Sequence, residues 1–229
     1  MCLVWDLGLM EYSEAYQLQR TLHRQRVEGK ISDVLLLLEH PPTITIGKSG
    51  TLDNLLVSRE RLAHERISLF FIDRGGDATY HGPGQLVGYP IFDLRERGKD
   101  LHRYVYNLEE VILRTLKDFS IYADRDENHP GVWVNEEEIT AIGLSLRRWV
   151  SMHGFALNIN THLEPFSFIN PCGFSDRRAT SMSKILSSHV PMQEAINSLT
   201  SHFGDIFDFP KISLSTSFWW HRSAPITVA

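Results

Sequence analysis

The sequence predicts an α/β domain of the α+β kind, with a mixed, largely antiparallel sheet flanked by helices. Segments of strand character outnumber helical ones. Several follow one another with no helix between them, which disfavours a doubly wound parallel sheet. Where helical periodicity does occur, it marks amphipathic helices with one apolar face each.

The elements read as follows. MCLVWDLGLMEYSEAY opens with a strand; it has no basic leader and already carries Asp6, so it does not read as a signal peptide. Ser13 precedes a helix with Ala15, Leu18 and Leu22 on one face, which Gly29 ends. Val34 to Leu38 is a continuous apolar run, the mark of a buried strand. After the Pro41-Pro42 turn, Thr43 to Ile46 alternates and is β-branched, a second strand. A short helix covers Ser58 to Glu65, and a strand covers Ser68 to Asp73. Asp100 caps a helix that turns Leu101, Tyr104, Val105, Leu108, Val111 and Ile112 inward. Strand-like stretches follow at Gly131–Asn135, Ile139–Leu146 and Phe155–Asn158. A last helix starts at Pro191, with Met192, Ala195, Leu199, Phe203 and Ile206 on its apolar face. Residues 1–210 form one domain. Residues 211–229 are a tail without clear pattern, which Phe218-Trp219-Trp220 would tuck against the body.

The 229 residues suit one domain with a core large enough to hold a pocket. With 28 acidic against 23 basic side chains, the net charge of −5 argues against non-specific nucleic-acid binding. No apolar run approaches the roughly 18–20 residues of a membrane helix. The two cysteines, Cys2 and Cys172, fit a reduced, cytoplasmic setting. None of the eleven histidines stands in a zinc-binding pattern, so no metal is expected. The phosphate-loop, dinucleotide and GxSxG signatures are absent.

Three segments carry chemistry. Arg74 to Gln85, RGGDATYHGPGQ, holds four glycines and a proline in twelve residues, so its backbone can approach a ligand closely. It also bears Arg74, Thr79, Tyr80, His81 and Gln85, which could orient a substrate; on loop chemistry alone it could equally be a plain turn between strands. In Asn170-Pro171-Cys172-Gly173 a thiol sits on a turn, where thioester exchange is its natural chemistry. A buried, inert cysteine is the competing reading. The third segment is Ile139-Thr140-Ala141-Ile142-Gly143, then Arg147-Arg148, then His153-Gly154-Phe155-Ala156-Leu157-Asn158. Its glycines permit close approach within strands, or mark packing bulges.

In this order the segments resemble the lipoyl(octanoyl) transferase family, the octanoyl-[acyl-carrier-protein]–protein N-octanoyltransferases. The resemblance rests on RGGDATYHGPGQLVGYP joined by GVWV, AIG, HGFALN and NPCG, and runs from Leu35 to Met182. It implies a biotin/lipoate protein ligase-like domain built around an acyl pocket. It implies that Arg74, Gly75, Gly76, Asp77, Ala78, Thr79, Tyr80 and His81 bind substrate, as do Ala141, Ile142, Gly143, Gly154, Phe155 and Ala156. It makes Cys172 the nucleophile that takes octanoyl from acyl carrier protein. The acyl group then passes to a lysine of a lipoyl domain of 2-oxoacid dehydrogenases or of glycine cleavage H protein, the first step of protein lipoylation. A thioester is already activated, so neither ATP nor metal is expected. Arg147, Arg148, Arg177, Arg178 and Lys184 are candidate docking charges for acidic partners.

One position departs from the family. Where it carries a lysine thought to lower the thiol pKa, this sequence has Glu138. A carboxylate facing Cys172 would disfavour the thiolate. Glu138 could instead orient His81 or His153 as the base, the reading preferred here. It could also face solvent while another group activates the thiol, or the enzyme could be weakened. Two other functions compete: an ATP-dependent lipoate or biotin ligase on the same fold, and a non-catalytic binder of acyl carrier protein or lipoyl domain.

Overall fold

The computed structural model describes residues 1–126, 129–170 and 178–209, and the backbone of 212–215. The strands are β1 (Cys2–Leu9), β2 (Asp33–Glu39), β3 (Thr43–Ile46), β4 (Ser68–Phe71), β5 (Ala78–His81), β6 (Gln85–Ile91), β7 (Asp124–Arg125), β8 (Gly131–Val134), β9 (Glu137–Arg147), β10 (Val150–Asn158), β11 (Arg178–Ala179) and β12 (Ile212–Ser215). The helices are α1 (Tyr12–Val27), α2 (Arg59–His64), α3 (Leu101–Asp118), α4 (Met182–Leu186) and α5 (Met192–Ile206). The main sheet runs β12-β1-β2-β6-β10-β9-β8-β7, and β11 pairs with β9 outside this row. Only β1 with β12, β1 with β2, and β11 with β9 are parallel in it; the other pairs are antiparallel. A second sheet, β4-β3-β5, stands beside it. The expected fold class is the one observed.

The helix faces follow the sequence pattern. On one face of the main sheet, Leu108, Val111, Ile112 and Leu116 of α3 are fully buried with Ala195, Leu199 and Phe203 of α5. Each large aliphatic side chain buried there stabilises the fold by about 1.5–3 kcal/mol. On the opposite face, Ala15, Leu18 and Leu22 of α1 pack against β2, β6 and β10. A third cluster, with Ile44, Ile46, Tyr80 and Ile169, lies under the small sheet. Asp100 caps α3 through the amide of Arg103, and Ser58 caps α2 through that of Arg61.

Four features escape the sequence pattern. The glycine-rich stretch is not a continuous loop, since it contains β5 and the start of β6. β6 itself is central, between β2 and β10, with all seven residues buried. Its Pro90 argues against a central strand, but the register with β10 reaches only Gly88, leaving Pro90 beyond the ladder on that side. β10 starts at Val150, not Phe155, because Arg148 and Trp149 turn tightly with φ of 53° and 65°. Such a turn ordinarily announces itself by Asn or Gly, and neither residue is present. Finally, Ile212–Ser215, placed in the tail, pairs with β1 as an edge strand. Phe218-Trp219-Trp220 lie outside the described residues.

Candidate active site

Arg74 seats the loop between β4 and β5. Its Nη2 donates to the carbonyl of Thr45 at 2.8 Å and to Thr45 Oγ1 at 3.0 Å, its Nε reaches the same hydroxyl at 3.3 Å, and its Nη1 donates to Gly75 O at 2.9 Å. The loop lies on β9, where Gly75 N donates to Leu144 O at 2.7 Å. Two glycines make room. A Cβ on Gly47 would lie 2.9 Å from Arg74 Nη1, and one on Gly143 would lie 2.9 Å from Arg74 Cδ. Asp77 turns the chain into β5 by accepting from Ala78 N at 2.7 Å, and its other oxygen accepts from the Asn54 side chain.

His81 is locked by its neighbours. Gln85 donates through Nε2 to Tyr80 O at 3.1 Å and to Asn158 Oδ1 at 2.9 Å, so its Oε1 must accept. His81 Nδ1, 2.8 Å away, is therefore the protonated nitrogen, and Nε2 accepts from Thr45 Oγ1 at 3.4 Å. Burial, then the nearby His40, push its pKa down to about 3. His40 is neutral for the same chief reason, with a pKa near 4; its Nδ1 is 2.7 Å from Met10 O and its Nε2 is 2.8 Å from the Tyr89 hydroxyl.

His153 is held differently. Its φ of +58° is unusual for a residue with a side chain. In a regular strand it would share a face with its register partner Leu144, which packs on the α3 side. Instead its ring stacks 5.6 Å from that of Tyr16 on α1. Its Nε2 lies 2.9 Å from Asp73 Oδ1, which also accepts from the Tyr16 hydroxyl at 3.0 Å. Those two hydrogen bonds, the one from His153 first, hold the Asp73 carboxyl well below its ordinary range. Burial lowers the pKa of His153, against the opposing pull of Asp73.

These groups border one cavity of about 840 Å³, a size that suits a small-molecule ligand. Arg74, Gly75, Gly76, Asp77, Ala78, Thr79 and His81 line it, as do Ala141, Ile142, Gly143, Gly154, Phe155, Ala156, Glu138 and His153. Tyr80 does not. Strand alternation turns it into the small-sheet core, edge-on to Phe166 at 5.4 Å. Leu101 and Val105, expected in the core, border the cavity.

Glu138 sits in β9 between Trp133 of β8 and Ala179 of β11. The orienting partner found on His153 is Asp73, and on His81 it is Gln85, rather than Glu138. Of the docking charges, Arg147 and Arg148 are exposed at the hairpin tip, Lys184 pairs with Glu137 at 2.8 Å, and Arg178 borders the cavity. Arg177 and Cys172 lie outside the described residues. The other thiol, Cys2, is buried, and burial with the Asp33 charge pushes its pKa up to about 12, which leaves it unreactive. Among the described residues, no group of three or more His, Cys, Asp or Glu could hold a metal ion, and no helix is long and apolar enough to cross a membrane.

The sequence reading passed over Thr45, Asp73, Tyr12, Tyr16 and Tyr89. Thr45, Asp73, Tyr12 and Tyr16 lie in or beside elements read only for their packing, and no local motif marks them; Tyr89 lies within RGGDATYHGPGQLVGYP but on β6, a strand the local pattern does not reveal.

Residues 11–204 match the family model of the lipoyl protein ligase A/B catalytic domain. The chain is 51% identical over 210 residues to an octanoyltransferase of Caldicellulosiruptor bescii, covering 90% of this chain and 92% of the relative. It is 44% identical over 207 residues to an octanoyltransferase of Desulforamulus reducens, covering 90% and 91%. Among solved structures, a lipoate-protein ligase A bound with ATP superposes with a TM-score of 0.74 at 16% identity, over 95% of this chain and 89% of the other. A bi-partite lipoate protein ligase of Thermoplasma acidophilum, from a study with its E2 lipoyl domain, gives 0.65 at 17%, over 94% and 87%. At those identities the structures speak for the fold, while the sequence relatives place this chain in the octanoyltransferase family, within the lipoyl protein ligase A/B catalytic domain.

Proposed function

We propose that this chain is an acyltransferase that moves an octanoyl group from acyl carrier protein to a lysine of a lipoyl domain or of glycine cleavage H protein, through a thioester on Cys172. One observation carries this reading: the octanoyltransferase relatives match along nine-tenths of both chains, and the segments expected to bind substrate meet at one cavity. The cavity walls include Val87, Val105, Ile142 and Phe155, which suit an alkyl chain. At about 0.8 kcal/mol per buried CH₂, an octanoyl chain would gain several kcal/mol there.

In the first step the Cys172 thiolate attacks the carrier thioester, and the carrier thiol leaves. In the second, the lysine amine displaces Cys172 and forms an amide, which is more stable than the thioester. Backbone amides of the glycine-rich segments would stabilise the oxyanion of each tetrahedral intermediate. Two observations support Cys172. The other cysteine is buried with a raised pKa, and Asn170 and Arg178, on either side of residues 171–177, both border the cavity. The chemistry needs neither ATP nor metal, and a reducing cytoplasm would keep the thiol free.

The rival reading is an ATP-dependent ligase, favoured by the fold it shares with a ligase bound with ATP. Intact mass separates the two. Incubation with octanoyl-acyl carrier protein without ATP should add one octanoyl group, and Cys172→Ser should abolish the adduct. Acylation that requires ATP would establish the ligase.

A further inference from the structure

We propose that His153, fixed by Asp73, is the base that deprotonates the incoming lysine, while His81 only positions the substrate loop. The inference rests on the octanoyl-transfer reading and deepens it. Both histidines border the cavity, but only one has a nitrogen to spare. In His81, Nδ1–H is committed to Gln85 and the Nε2 lone pair to Thr45. In His153, Nε2 faces a carboxylate that is ionised at any working pH and can only accept. Nε2 must carry the proton, so the lone pair resides on Nδ1. No atom among the described residues hydrogen-bonds to Nδ1. Asp73 thus fixes one tautomer and stabilises the imidazolium that forms when Nδ1 takes a proton.

The surroundings support this role. The left-handed backbone at residue 153 turns the imidazole away from the Leu144 side and onto Tyr16, and such backbone strain in a site is a pointer to function. The charged and titratable groups around His153 are Asp73 and Tyr16 in direct contact and Tyr89, whose ring stands edge-on at 6.5 Å, with Arg74 and Lys48 acting at longer range, and His81 behind them. Burial and the two cations favour neutral imidazole, while Asp73 favours imidazolium; the balance falls on the neutral base.

The step balances. Nδ1 takes one proton from the lysine ε-ammonium. The freed lone pair attacks the acyl carbon, forming C–N, and C–S breaks with its electrons on sulfur. The second amine proton goes to that sulfur, giving thiol and amide, and the imidazolium returns its proton to water.

The test is single-turnover transfer from octanoyl-loaded enzyme to a lipoyl domain, followed by intact mass from pH 5 to 9. The wild type should plateau above the His153 pKa, because base and ammonium are then both present. His153→Gln should fall about 10²–10⁴-fold near neutrality. It should also lose the plateau, its rate rising about tenfold per pH unit with the free amine, whose ordinary pKa is about 10.4. Asp73→Asn, at a half-exposed side chain, should shift the low-pH limb. His81→Gln should lower the rate and leave the limb in place. A plateau retained in His153→Gln, or a limb lost in His81→Gln instead, would overturn the assignment. Loading that succeeds in the wild type with no transfer to any lysine would overturn the octanoyl-transfer reading itself, and is distinguishable because it needs no variant.

Discussion

Gly143 and Arg74 touch only because residue 143 has no side chain: a Cβ there would lie 2.9 Å from Arg74 Cδ and 3.0 Å from Gly75 O. The guanidinium beyond that Cδ is buried and tied to Thr45, so it cannot swing aside cheaply. Gly143→Ala should therefore lift the substrate loop from β9. The expected result is a loss of about 1–3 kcal/mol in stability with at least a tenfold fall in octanoyl transfer, checked by denaturant melts and transfer assays. Unchanged activity would show that the loop does not need this seat.

Arg74→Lys tests the same contact from the other side. The guanidinium donates three hydrogen bonds to Thr45 and one to Gly75 in fixed directions, and an ammonium cannot reproduce that fork. Thr45 Oγ1 and the two carbonyls would lose charged donors, at about 1.5–3 kcal/mol for each hydrogen bond to a charged group. The measurable outcome is a lower kcat/KM with the fold retained by circular dichroism. A near-wild-type value would remove Arg74 from the substrate-binding set.

Stability should fall on mild acidification before carboxylates begin to titrate. His40 and His81 are buried neutral, with pKa values pushed down to about 4 and about 3. In the unfolded chain both return to about 6.5. The unfolded state thus binds more protons below that pH, and stability drops as pH falls from about 6.5 towards the folded values. Each group contributes up to about 1.4 kcal/mol per pH unit in that window. Urea melts between pH 8 and 5 should show a plateau above pH 7 and a decline below 6. His40→Phe should shallow the decline by one proton's worth; an unchanged slope would refute the account.

Much of this was legible in the sequence because the signals were local. The α3 and α5 faces, the Asp100 cap and the apolar run of β2 each read from a few adjacent residues. The site segments were legible through RGGDATYHGPGQ, AIG and HGFALN, and of the substrate-binding residues expected in them (74–81, 141–143 and 154–156) all but Tyr80 border the cavity. What stayed hidden depends on distance along the chain. Asp73 meets His153 across 80 positions and Gln19 meets its amide across 134, and no periodicity encodes either. β6 went unread beyond the glycine-rich stretch; it holds Pro90 in a central strand, with the β10 ladder stopping at Gly88. Glu138 was read against His81 and His153, but those partners belong to Gln85 and Asp73, which only folding could reveal.

Tyr80 separates loop membership from site membership. Its ring packs on Phe166 in the small-sheet core, 3% exposed. Tyr80→Phe should leave octanoyl transfer within about twofold, since it keeps the ring. Tyr80→Ala should cost about 3–5 kcal/mol through the cavity it leaves. Thermal melts beside transfer rates check both. A Tyr80→Phe variant that folds normally but loses activity would return the hydroxyl to the site.

Ala141 and Ala156 are register partners on β9 and β10, and both border the cavity. Two small side chains opposite each other leave room that a larger pair would fill, so this pair should set the depth available to an acyl chain. Ala141→Leu puts a branched side chain into that space while keeping the strand apolar. If it excludes the outer four carbons of an octanoyl group, the lost burial is about 3 kcal/mol at 0.8 kcal/mol per CH₂, roughly a hundredfold in discrimination. Octanoyl transfer should fall by about that factor while butanoyl transfer from the same carrier protein changes little. The ratio of the two rates, measured in one mixture by intact mass, is insensitive to how much of the variant is active. An unchanged ratio would place the acyl chain elsewhere in the cavity, on the side of Leu101 and Val105.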